Sequence, residues 1–236
     1  MHFYPKPSKC FLYDILESNL KKHQALIALD AGSNNFKNYP MFNTEYYYGL
    51  DFDLDALRKG VERYQQDKAF GLWGDLRNLN TLPDKSIDVI VSTNTLYVLN
   101  DTEREVVVKN LSRLCAPGGL FICEIPNDET AKNILKQLEK DFEKINIIYY
   151  RNIFSRWYEK IFERRGYIGF DDLAAWLPFR FLAWLISRFE FLTCYAKKIN
   201  TDIIVICQQA DLGSQNKFIL NNNNLIQRHI YQLTAN

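Results

Sequence analysis

Three acids and one glycine carry the chemistry available to this chain. Asp30 ends the apolar run Leu26-Ile27-Ala28-Leu29 and leads into Ala31-Gly32-Ser33-Asn34. Asp51 closes a second, aromatic run 19 residues beyond Gly32. Asp75 sits in Gly74-Asp75-Leu76, after a third run. Short apolar runs bounded by turn residues read as buried strands. Open α/β sheets bind ligands at the carboxyl ends of such strands. A glycine there adopts positive φ and lets a ligand approach the backbone. A carboxylate at the second strand end can accept hydrogen bonds from both ribose hydroxyls of a nucleoside. Asp75 can reach an exocyclic amine of the base, and Leu76 can pack on its face. Taken singly, each acid is as well explained as a turn or cap residue, and one glycine is a weak signal. The order of the four elements is what favours a nucleoside crevice.

The elements that must position these residues follow from hydrophobic periodicity. A leading helix is predicted over 13–23, with Leu12, Ile15, Leu16 and Leu20 at helical spacing. Strands are predicted at 26–30, 45–50, 69–73, 87–92, 120–125, 144–150 and 202–208. Helices are predicted at 54–64, capped by Asp53, at 102–114, with Thr102 and Glu105 at capping-box spacing, and at 129–140, capped by Asn127 or Asp128. Alternating strands and helices imply an α/β, Rossmann-like, seven-stranded and mostly parallel sheet with helices on both faces. The segment 151–200 breaks the alternation as a helical insertion before the last strand. The organisation is thus a leading helix (1–24), a core (25–150), the insertion, the last core strand (201–210) and a polar tail (211–236). The tail holds four asparagines at 221–224 and one short helix over 225–233.

The bulk properties narrow the classes. The 236 residues, 47% hydrophobic, suffice for one large domain, and a net charge of +1 gives no case for nucleic acid. Five scattered cysteines without a CxxC pair, and three histidines outside the motifs, argue against a disulfide framework and a metal site. The first 11 residues lack the apolar run of a secretory signal, and no charge-free apolar stretch is long enough to span a membrane. A cytoplasmic setting, membrane-associated if the insertion binds lipid, is the expectation.

Leu29-Asp30-Ala31-Gly32-Ser33-Asn34-Asn35, Tyr48-Gly49-Leu50-Asp51, Gly74-Asp75-Leu76 with Leu82-Pro83 and Ser86-Ile87-Asp88-Val89-Ile90-Val91-Ser92, and Leu114-Cys115-Ala116-Pro117-Gly118-Gly119 together resemble the motif blocks of class I S-adenosylmethionine-dependent methyltransferases. The resemblance covers about 25–126. It implies S-adenosylmethionine as cofactor, with Asp30, Gly32, Ser33 and Asn34 at its methionine end. Asp51, with Phe52 beside it, would take the ribose, and Asp75 and Leu76 the adenine. Asn94 would line the crevice beside the methyl with Thr95 and Tyr97, which makes Asn94 and Tyr97 the catalytic candidates. Two positions depart from the family: Asn34 replaces its second glycine, and Val98 stands where it often has histidine. A catalytically silent binding module is therefore the alternative. A dinucleotide oxidoreductase fits less well, because its fingerprint wants three glycines around a pyrophosphate.

Methyl transfer from a sulfonium asks the protein mainly to align donor and acceptor and to exclude water. A base is needed only for a poorly ionised hydroxyl or an ammonium. The acceptor class is suggested by 151–200, which holds three of the four tryptophans and nine Lys or Arg against five Asp or Glu. Such basic, Trp-rich amphipathic helices suit peripheral membrane contact, a lid over the cleft, or a dimer contact. A small or lipid-linked acceptor is the resulting expectation.

Overall fold

The apolar runs form one sheet. The computed structural model describes residues 4–64, 67–163, 172–210, 225–227 and 229–233. In chain order the elements are α1 (Pro7–Leu20), β1 (Ala25–Ala31), β2 (Thr44–Asp51), α2 (Leu54–Arg63), β3 (Ala69–Trp73), β4 (Ile87–Ser92), α3 (Asp101–Leu114), β5 (Cys115–Pro126), α4 (Glu129–Asp141), β6 (Lys144–Tyr150), α5 (Ile153–Phe162), α6 (Leu177–Thr193), β7 (Asp202–Gln208), β8 (Leu225–Gln227) and β9 (Ile230–Gln232). The sheet order is β6-β7-β5-β4-β1-β2-β3-β9-β8. The strands β3, β2, β1, β4 and β5 run parallel, whereas β7 is antiparallel to both β5 and β6. Chain order reverses between β1 and β4, which opens a crevice at their carboxyl ends.

Both faces are covered. On one, Val107, Val108 and Leu111 of α3 and Ile134 and Leu138 of α4 close over Leu29, Ile90 and Phe121. On the other, Phe11, Leu12, Leu16 and Leu20 of α1 lie on Ala28, Val89, Val91 and Ile122. Phe36 fixes the loop after β1. It is fully buried with φ +62°, and its ring fills the space left by Gly49 and Gly60. A Cβ on Gly49 would lie 2.1 Å from that ring.

Four expectations are corrected. The sheet has nine strands rather than seven, because the tail adds β9 parallel to β3 and β8 antiparallel to β9. The helix expected over 225–233 is therefore absent, since the open edge of β3 recruits Ile230-Tyr231-Gln232 as a strand. The leading helix begins at Pro7, a residue suited to a first helical turn, and ends at Leu20. The capping box of α3 is Asn100 with Glu103, not Thr102 with Glu105. The asparagines at 221–224 and residues 164–171 of the insertion lie outside the described residues.

Candidate active site

The crevice holds a cavity of about 1090 Å³. Its floor comes from the loops after β1, β2, β3 and β4: Gly32, Ser33 and Asn34; Asp51, Phe52 and Asp53; Gly74 to Arg77; and Thr93 to Thr95. Gly32 has φ +79°, and a Cβ there would strike Thr95 Oγ1 at 2.0 Å, so only glycine fits. Asn34 takes φ +48°, the left-handed conformation that a glycine would otherwise supply. Its Oδ1 accepts from the Asn35 amide at 2.9 Å, which turns the side chain back on its own loop.

Asp51 ties two loops together. Its Oδ2 accepts from the Asn34 amide at 2.8 Å and its Oδ1 from the Asp53 amide at 3.0 Å. Each oxygen keeps a lone pair for a ligand hydroxyl. Phe52 stands at the mouth, exposed, its carbonyl held by Trp73 Nε1 at 3.0 Å. Asp75 lines the cavity in a fork from Arg77: Nε lies 3.0 Å from both oxygens and Nη2 2.6 Å from Oδ2. That guanidinium holds the Asp75 carboxyl below its ordinary range. A base amine at Asp75 would share the carboxylate with Arg77, which also reaches Glu103.

Two residues expected in the crevice do not reach it. Asp30 is fully buried and does not line the cavity. Its carboxylate accepts from Tyr47 Oη at 2.7 Å and from Asn38 Nδ2 at 3.2 Å, and burial raises its pKa to about 6 despite those bonds. The expectation of three converging strand-tip carboxylates is thereby corrected to two, Asp51 and Asp75. Asp30 acts one layer below, through Asn38, which lines the cavity and also reaches Thr93 at 3.4 Å. Tyr97 is likewise outside the lining. Its hydroxyl donates to Glu124 Oε1 at 3.0 Å and faces Asp202, so burial and two carboxylates push its pKa far up. Asn94 does line the cavity, with φ +59° and its amide donating to Glu124 Oε2 at 2.7 Å.

The roof was not foreseen. Tyr4, Pro5, Lys6, Lys9 and Tyr13, from α1 and the residues before it, close the cavity from above. Lys37 joins them from the loop after β1. Lys9 Nζ lies 3.9 Å from Glu124, and burial lowers the Lys6 ammonium pKa. Tyr13, hydrogen-bonded to Asn94, is raised by burial. No described residue of 151–200 lines the cavity, whose roof comes from α1 and the residues before it. One signal for Glu124 existed: it is the lone charge in the apolar strand Leu120-Phe121-Ile122-Cys123-Glu124-Ile125.

The order β3-β2-β1-β4-β5-β7-β6, with β7 antiparallel and a polar crevice at the switch point, defines the class I methyltransferase fold. Residues 29–123 match the family described as a methyltransferase domain, and the fold around them is that of the class I S-adenosylmethionine-dependent methyltransferases. No curated protein matches it in sequence. Among solved structures it is similar to the [4+2]-cyclase SpnF (TM-score 0.55, 12% identity, 85% of this chain and 81% of that one). It is similar to the YcgJ protein of Bacillus subtilis (TM-score 0.54, 11% identity, 84% and 97%). It also resembles the N-methyltransferase NodS of Bradyrhizobium japonicum bound to S-adenosyl-L-homocysteine (TM-score 0.52, 11% identity, 85% and 85%). At these identities the likeness is one of fold. The cyclase shows that the fold hosts other reactions, so methyl transfer here rests on the family match and on the site.

The site fits the cofactor by its own donors and acceptors. Ser33 Oγ is buried without a hydrogen-bond partner, and in the same lining Asp51 presents a carboxylate that clamps the Asn34 amide. A buried polar atom left unpaired is a group that awaits one.

Proposed function

We propose that the chain methylates an anionic acceptor, small or lipid-linked, seated under α1. The reading is carried by the charge layout of one cavity. Asp51, Asp53, Asp75 and Glu103 line it from the β2, β3 and α3 side, the last two paired with Arg77, whereas the cations Lys6, Lys9 and Lys37 line it from the α1 and β1 side. Acids suit ribose hydroxyls and a base amine, and lysines suit a carboxylate or phosphate. The volume, about 1090 Å³, exceeds the roughly 300–1,000 Å³ of a drug-sized ligand site and leaves room for two molecules.

Asp51 would hold the ribose, with the Gly32–Asn34 loop, its amides bonded to Leu50 O and Asp51, at the methionine end and Leu76 on the adenine. Bound there, S-adenosylmethionine supplies a methyl already activated by its sulfonium. The chain's own work is alignment and exclusion of water. Asn94 and Thr95 flank the position between donor and acceptor, and Tyr13 closes it from above. No histidine lines the cavity among the described residues, and the Tyr13 phenol is held protonated by burial. This favours an acceptor atom that is nucleophilic without losing a proton to the protein.

Calorimetry with S-adenosylmethionine and S-adenosylhomocysteine tests the cofactor half: saturable binding of both is expected, and no binding of either would end the reading. Transfer of labelled methyl into the anionic fraction of a cell extract tests the acceptor half. Label found only in neutral or cationic products would overturn it.

A further inference from the structure

The two helices of the insertion are built inside out. On α5 the inward stripe is Ser155, Tyr158 and Glu159, while Ile153, Phe154, Trp157 and Ile161 are exposed. On α6 the inward stripe is Ala183, Ser187 and Glu190, while Phe181, Leu185, Phe189 and Leu192 are exposed. A helix on a water-soluble domain has the opposite distribution. The inward polar groups are satisfied and so belong there. Glu190 accepts from the Asn152 amide at 3.1 Å and from Ser155 Oγ. Glu159 accepts from the Ser8 amide at 3.3 Å and from Arg151 Nε at 3.0 Å. Phe11 of α1 meets Phe191 at 4.8 Å between ring centroids. Glu159 thus pins α5 to α1, Glu190 ties α6 to the start of α5, and Arg188 pairs with Asp14 of α1, while among the described residues nothing covers the apolar side.

Trp157 and Trp176 stand 67% and 63% exposed on that side. Arg156 and Lys160, one turn apart, run along its edge on α5, and Lys197 and Lys198 follow α6. Among the described residues of 153–199 these are the four exposed bases, against two exposed acids, Glu163 and Asp172. No described helix is long and apolar enough to cross a membrane. We propose that this α5–α6 face docks the protein on an anionic lipid surface, lying in the headgroup region with its tryptophans inserted. The sign of the rim decides between occupants: it attracts anionic headgroups, and it would set base against base across a pair of identical faces. The docking surface stands independently of the methyl-transfer reading. If both hold, α1 joins them, because it roofs the cavity on one side and carries α5 and α6 on the other.

Vesicle flotation of the full chain tests this, with phosphatidylcholine alone and with added phosphatidylglycerol, alongside sedimentation velocity without lipid. The wild type should float with anionic vesicles roughly tenfold more tightly than with neutral ones, with a blue shift in tryptophan emission. Phe154→Ser with Trp157→Ser should abolish flotation, and Arg156→Glu with Lys160→Glu should remove the preference for phosphatidylglycerol. Both variants should keep S-adenosylhomocysteine binding and the wild-type circular dichroism, since none of the four residues lines the cavity. Wild-type protein that floats with neither vesicle overturns the proposal. So does flotation that survives both double substitutions. A dimer in sedimentation that dissolves on Phe154→Ser with Trp157→Ser, without vesicle binding, would assign the face to a second copy instead.

Discussion

Asp30 and Glu190 are carboxylates held away from water, and each departs from its ordinary pKa for that reason. Burial raises Asp30 to about 6 and Glu190 to about 7, against hydrogen bonds that favour the ionised form. The folded chain therefore binds protons in a window where the unfolded chain has released them. Their contribution to stability is fully present below about pH 4 and is lost as pH rises through about 6 to 7. Asp30→Asn should flatten the fall in urea-unfolding stability between about pH 5 and about pH 8 by roughly 1–3 kcal/mol. An unchanged slope would show that Asp30 titrates as it does in water. Asp51 plays a different part, because its oxygens face the cavity. Asp51→Ala should weaken S-adenosylhomocysteine binding by roughly 1–3 kcal/mol, the loss of charge-assisted bonds to the ribose and of the clamp on Asn34; calorimetry reads this directly. These residues differ in how visible they are in sequence. Asp51, Gly32 and Asp75 were legible because a strand end fixes where its last residue goes. Asp30 was legible as an acid but not as a buried one, because Tyr47 and Asn38, which claim it, announce nothing by spacing. Lys6, Lys9 and Tyr13 were not legible at all, since packing of α1 across the sheet brings them to the site.

Among elements, the loop after β1 shows how a degenerate motif keeps its shape. The family's second glycine is absent, yet Asn34 adopts the same left-handed backbone and Asp51 holds its amide. Phe36 then anchors the loop's far end, itself left-handed, with its ring against Gly49 of β2 and Gly60 of α2. A non-glycine residue at positive φ is strained and must be over-determined by its surroundings; burial of the whole ring supplies that. Phe36→Ala should cost roughly 3–5 kcal/mol of unfolding free energy, since the two glycines leave nothing to fill the void. It should also loosen cofactor binding, because Gly32 to Asn34 lose their anchor. Thermal unfolding and calorimetry on the same variant separate these effects, and a variant of wild-type stability would remove Phe36 from this account. Strands were the most legible elements: β3, β4, β6 and β7 begin and end where periodicity puts them. The cap of α3 was missed because Asn100 with Glu103 and Thr102 with Glu105 share one spacing, and only backbone geometry chooses between them.

For the whole molecule, the tail decides how the sheet ends. Without it β3 would be an open edge beside the nucleoside side of the cavity, a template for pairing with another chain. Instead the Gly71 amide donates to His229 O at 2.7 Å, and the Leu233 amide donates to Trp73 O at 2.9 Å. Ile230 is buried over Gly71, its Cγ1 3.2 Å from where a Cβ would sit, and Tyr231 packs into the core that contains Tyr48. Leu233 reaches Gly74, the first residue of the Gly74-Asp75-Leu76 loop. Local pattern could not reveal this, because the register of β9 is set by β3, some 160 residues earlier, and not by its own neighbours. Removing 211–236 should therefore act at two distances. Stability should fall by roughly 2–5 kcal/mol as two large side chains lose their burial, with aggregation from the bared edge. Affinity for S-adenosylhomocysteine should fall as well, because the loop after β3 loses the contact of Leu233 with Gly74. Ile230→Ala keeps the backbone pairing and should reproduce part of the first effect and little of the second. A truncated chain as stable as the full one would mean that β9 does not hold the edge of the sheet in solution, and the nucleoside side of the site would then stand on β1 and β2 alone.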